Sequence, residues 1–72
     1  MKTYNIIPIG TEVTVNNTFK GTIVSISIRM NSVNYEVQKT TEDGLYAFWA
    51  AEWEITSKHK MDLAVSSLIK AD

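Results

Sequence analysis

A chain of 72 residues has room for one small domain, and a domain this short buries only about 60% of the surface its unfolded form exposes. It contains no cysteine and a single histidine, which excludes disulfides and nearly excludes a structural zinc centre, since thiolates are absent and His59 stands alone. Seven basic side chains against eight acidic ones give a net charge of −1, so composition supplies none of the basic excess that neutralises nucleic-acid phosphates.

Without a disulfide or a metal, a well-packed core or self-association must supply the missing stability. No run approaches the roughly 18 apolar residues of a membrane span. The start, MKTYNIIPIGTEV, lacks the apolar core of about 7–15 residues that marks a secretory leader. The expectation is therefore a cytoplasmic protein with no membrane partner.

In chain order, Pro8 ends any strand begun by Tyr4 to Ile7 or holds an edge position. Glu12 to Val15 alternates, with Val13 and Val15 on one face. Asn16-Asn17-Thr18 is a turn signal, because asparagine tolerates the left-handed conformation. Gly21, just inside the next strand, indicates a bulge or a close backbone approach.

Thr22 to Arg29 is rich in β-branched residues, which suit a pleated, half-buried surface. Val24, Ile26, Ile28 and Met30 share a face, and Ile23 breaks it, as in a strand that bends. The chain reverses at Met30-Asn31-Ser32 and returns with Val33, Tyr35 and Val37 inward. A second reversal, Thr40 to Gly44, carries an Asp-Gly pair typical of hairpins. Leu45 to Ala50 is a strand with no polar side, and Trp53-Glu54-Ile55 is a last, brief strand with Trp53 and Ile55 inward.

The tail changes period. Met61, Ala64, Val65, Leu68 and Ile69 recur at helical spacing, which predicts a short amphipathic helix within residues 58–72. At about 12 residues such a helix is marginal alone in water and must dock. Leu63 lies opposite the stripe, so a helix held between two chains buries more than one held against its own domain. Met61, Leu63, Val65 and Leu68 are thereby candidates for a homo-oligomer interface, with a two-fold dimer expected.

The pattern of Val13 and Val15, a turn, Gly21 and then Ile23 to Ile28, followed by Tyr35-Glu36-Val37, resembles small SH3-like barrels of the KOW type. The resemblance covers roughly Gly10 to Ile55, and with the strand count it implies a mainly β fold: a five-stranded barrel over residues 1–57, to which the helix is appended. Stand-alone barrels of this look are frequent among phage and mobile-element accessory proteins, which implies an inhibitor or adaptor of a host protein complex. The layout is also similar to the type II dihydrofolate reductases, which are oligomeric. Where that family has Val-Gln-Ile-Tyr, this chain has Tyr46-Ala47-Phe48-Trp49, and the missing glutamine separates the architecture from the activity.

Candidate chemistry is sparse. His59 lies between Lys58 and Lys60 with no carboxylate partner in sequence, which reads as a solvated linker residue. Glu52 and Glu54 are spaced as a pair on one strand face, and with Trp53 and Ile55 inward they point to water. No catalytic triad, metal set, phosphate loop or cofactor motif is present, so no catalytic residue, metal or cofactor is expected. Five of the seven aromatic residues are Tyr35, Tyr46, Phe48, Trp49 and Trp53. Two readings of that cluster stay open: cover by the C-terminal helix, or a binding surface rich in hot-spot residue types.

The reading is a non-enzymatic module that meets a protein partner through Tyr46, Phe48, Trp49, Trp53 and Arg29. Nucleic-acid binding in the KOW manner is the alternative. It is expected to be weak, because residues 1–57 carry four basic against six acidic side chains. A ligand-binding, reductase-like oligomer is the third reading.

Overall fold

The computed structural model describes residues 2–30 and 32–65. It is mainly β: β1 (Lys2–Ile6), β2 (Glu12–Val15), β3 (Phe19–Arg29), β4 (Ser32–Thr41), β5 (Gly44–Ala51), β6 (Ile55–Thr56) and β7 (Met61–Val65). A 3-10 turn over Glu52–Glu54 joins β5 to β6. Strands β2 to β6 form one antiparallel sheet in the order β5-β4-β3-β2-β6, and β1 pairs with β7 in a separate two-stranded sheet.

Local chemistry explains the reversals. Asn16 and Asn17 adopt φ of 50° and 58°, the left-handed values that the β2–β3 turn requires. The loop between β4 and β5 closes at Thr41 and Gly44. There the Thr41 hydroxyl accepts from the Asp43 N–H (3.3 Å) and donates to the Gly44 carbonyl (3.0 Å). Gly44 has φ of 121°, a conformation that side chains with a Cβ rarely adopt.

Strand β3 changes phase along its length. Gly21 pairs with Val13 and Ile23 with Val37, but the next pair is Ser25 with Glu36, so a bulge inserts Val24. Ile23 before the bulge, and Ile26 and Ile28 after it, thus turn the same way. This is how one strand reconciles the odd-numbered Ile23 with the even-numbered stripe. Gly21 marks a close approach: a Cβ there would lie 2.6 Å from Val37 Cγ1 and 2.9 Å from the Gln38 carbonyl oxygen.

The buried core among the described residues is Ile6, Ile7, Val13, Val15, Ile23, Val33, Tyr35, Val37 and Ala50. Each large aliphatic member contributes about 1.5–3 kcal/mol by leaving water. Tyr35 is wholly buried, and its hydroxyl oxygen accepts from the Ile7 N–H at 3.1 Å, tying the end of β1 to β4.

Three expectations are corrected. Met61–Val65 is a strand and not a helix: it pairs antiparallel with β1, with Met61 opposite Ile6 and Leu63 opposite Tyr4. Leu63 is half-buried and packs against the core, whereas Met61 is exposed, so the stripe argued for a helix does not exist there. The edge of β1 needed a hydrogen-bonding partner, and Met61, Leu63 and Val65 also alternate at period two. Leu68 and the rest of the expected helix after Val65 lie outside the described residues.

Hydrogen bonding also leaves the sheet open. Among the described residues β5 and β6 are its two edges, and the strands do not close into a ring. Finally, Trp53 and Glu54 belong to a 3-10 turn where a strand was expected, and Ile55 begins β6. Trp53 is rotated outward and is 83% exposed, whereas Glu54 turns back toward the chain.

Candidate interaction surface

The placement of the aromatic residues follows from the β4–β5 register. Val37 sits opposite Phe48, Lys39 opposite Tyr46 and Tyr35 opposite Ala50, so Tyr46, Phe48 and Ala50 share the core side of the sheet. Leu45, Ala47 and Trp49 take the other face beside Glu36 and Gln38. Val15 opposite Phe19 brings Phe19 to the core side as well.

The core ends before the sheet does. Beyond Val37 the core-side face continues into Lys39, Tyr46 and Phe19, and no described element covers it. Phe19 meets Phe48 edge-on at 6.3 Å between ring centres, and Phe48 lies 6.1 Å from Tyr46. The Lys39 ammonium sits 4.3 Å from the centre of the Phe19 ring, a cation–π contact. With Leu45 and Asp43 at the hairpin end, these side chains line an open groove of about 710 Å³. Tyr46 is 58% exposed, so the groove floor is wet and apolar together, and Leu45, whose side chain belongs to the other face, borders it only at the hairpin end.

On the opposite face Trp49, 55% exposed, lines a shallower cleft of about 290 Å³ with Ser27, Arg29 and Asn34. The five residues expected to act together are therefore divided. Tyr46 and Phe48 share the groove, Trp49 and Arg29 share the reverse face, and Trp53 on the 3-10 turn lines neither. Phe19 and Lys39 are groove residues that were not among the expected partner-binding residues. Phe19, Gly21 and Ile23 share a parity, as do Val37 and Lys39, and that signal was available.

Backbone groups complete the surface. The two-residue loop closes on the Thr41–Gly44 pair, and hydrogen-bonded pairs alternate from there along an antiparallel ladder. The N–H and C=O groups of Leu45, Ala47 and Trp49 accordingly point away from β4, along the open edge. The same phase holds at Ala51, whose N–H donates to Glu54 Oε1 at 2.9 Å and not to β4. Asn16 Nδ2 donates to the other Glu54 oxygen at 3.2 Å, and these two hydrogen bonds hold the Glu54 carboxyl below the usual glutamate range. Glu54 thus caps one end of the β5 edge.

His59 is exposed, and its N–H donates to the Ser57 hydroxyl at 3.1 Å. Among the described residues no group of three His, Asp or Glu side chains converges as metal ligands would. No described helix is long and apolar enough to cross a membrane. Comparison of the chain with known protein families, characterised proteins and solved structures returns no match.

Proposed function

We propose that this chain is a small, non-catalytic, SH3-like interaction module that engages a protein partner through the groove on the core side of β5. The observation that carries this reading is the cluster of Phe19, Tyr46 and Phe48, with the Lys39 ammonium over the Phe19 ring, open to solvent where the core ends. Aromatic rings give a partner large, rigid contact area, and interfaces are enriched in them. Lys39 adds one fixed positive charge, which suits a partner segment that places a carboxylate beside an apolar anchor. The SH3-like reading is supported by strand order: β2 to β5 run as a meander, a 3-10 turn follows, and β6 returns to β2. An inhibitor or adaptor role in a host complex is the specification we adopt.

The test compares affinity capture by the intact chain with capture by Phe19→Ala and Lys39→Glu variants whose circular dichroism is unchanged. A protein retained by the wild type and lost by both variants supports the groove. Identical capture by all three chains refutes it. Submicromolar binding of DNA or RNA at about 150 mM salt would transfer the surface to nucleic acid, against the charge balance.

A further inference from the structure

The strongest unexplained feature is the edge of β5, which no strand covers among the described residues. Native sheets protect an exposed edge with lysine, proline, a bulge or a very short strand. β5 has none of these: Gly44–Ala51 reads GLYAFWAA, without a charge or a proline, and its pairing with β4 is regular throughout. The opposite edge, β6, is only two residues long and offers little to a further strand.

We propose that β5 pairs antiparallel with β5 of a second copy of this chain, with the two-fold axis passing through Ala47. This proposal concerns the same strand as the groove reading but does not depend on it. The register follows from the free backbone groups. Outward-pointing groups belong to Leu45, Ala47 and Trp49, and the next one along, the Ala51 N–H, is already held by Glu54. A two-fold axis at Ala47 matches Ala47 with Ala47 and Leu45 with Trp49, so all three residues on each chain bond. Axes at Tyr46 or Phe48 leave one of them unmatched or compete with the Glu54 cap.

That register also settles the side chains. On the outer face each exposed Leu45 lies opposite the partner copy's exposed Trp49, and at the axis two small alanine side chains meet. On the groove side Tyr46 lies opposite the partner copy's Phe48, extending the Tyr46–Phe48 cluster across the axis. A charge on the axis would meet its own copy, and Ala47 and the rest of β5 carry none. With β6 too short to add a further strand, the large sheet ends at two chains. The two grooves then adjoin as one concave surface.

Sedimentation equilibrium on the full chain tests this. Wild type is expected at twice the 8.1 kDa chain mass at high micromolar concentration, and Ala47→Lys, which sets two ammonium groups face to face at the axis, at the single mass with its β-sheet signal intact. A wild-type monomer at millimolar concentration, a mass that grows beyond two chains, or a dimer unaffected by Ala47→Lys overturns the proposal.

Because Ala47→Lys could fail to fold, a cross-linking arm runs beside it. Cα atoms of an antiparallel hydrogen-bonded pair lie about 5.5 Å apart, within disulfide range. Ala47→Cys, the only thiol in the chain, is expected to form a covalent dimer with diamide as oxidant, much faster than Ala64→Cys on the exposed face of β7. Equal rates overturn the proposal. Phe19→Ala keeps the doubled mass, so loss of partner capture by that variant is a failure of the groove reading alone.

Discussion

Replacing Tyr35 by phenylalanine removes one oxygen from the centre of the core. That oxygen accepts the Ile7 N–H at 3.1 Å, and both residues are buried, so water cannot replace it without opening the packing. An orphaned buried donor costs about 1–3 kcal/mol. A domain of this length has a total stability of roughly 4–11 kcal/mol, at 0.05–0.15 kcal/mol per residue, so the loss is a sizeable fraction. Since 1 kcal/mol moves the midpoint of a small domain by roughly 4–8 °C, thermal melts should show Tyr35→Phe lower by about 5–20 °C.

There is a second signature at high pH. Burial, opposed by the Ile7 hydrogen bond and reinforced by the Glu52 charge, raises the Tyr35 pKa. A raised pKa favours the neutral phenol in the folded state. Its contribution is fully present below the unfolded value of about 10 and is lost as pH rises through the folded value. Urea titrations at successive alkaline pH values should show that loss in wild type and its absence in Tyr35→Phe. A variant within about 0.3 kcal/mol of wild type at pH 7 would refute the claim that this hydrogen bond anchors β1.

Three further outcomes follow from the same packing. Gly21→Ala pushes a methyl group against Val37 and the Gln38 carbonyl and should cost about 1–3 kcal/mol in urea unfolding, although a glycine-to-alanine change inside an accommodating strand stabilises. Leu63→Asp places a carboxylate against the core and should lose about 1–3 kcal/mol, whereas an exposed Leu63 would make the change nearly silent. Glu54, with its pKa depressed, contributes stability that is present above the unfolded value of about 4.3 and lost as pH falls through the folded value. Glu54→Gln should therefore flatten the acid side of the stability–pH profile, and an unchanged profile would show that the cap is not formed in solution.

Much of the large sheet was legible because its signals are local. Asn16-Asn17 and Asp43-Gly44 mark turns by backbone chemistry, and Val33, Tyr35 and Val37 alternate along one strand as its burial does. The tail was not legible, because Met61, Leu63 and Val65 fit period two as well as Met61, Ala64 and Val65 fit the helical period. Only the unmet edge of β1, a tertiary need, decides between them. The bulge at Val24 and the outward turn of Trp53 are likewise irregularities that a strict alternation cannot carry.

The candidate surface was half legible. Tyr46 and Phe48 stood out by composition, but their companions Phe19 and Lys39 come from β3 and β4 and join them only through register. Arg29 and Trp49 line one cleft, on the face away from the groove.

Amide hydrogen exchange read residue by residue distinguishes a β5 edge paired with a second copy from one open to water. The amides of Tyr46 and Phe48, bonded to β4, should be protected at every protein concentration. Those of Leu45, Ala47 and Trp49 should be protected in concentrated solution and should exchange rapidly on dilution, as the second copy leaves. Rapid exchange of these three amides at all concentrations would show that no second copy pairs with β5.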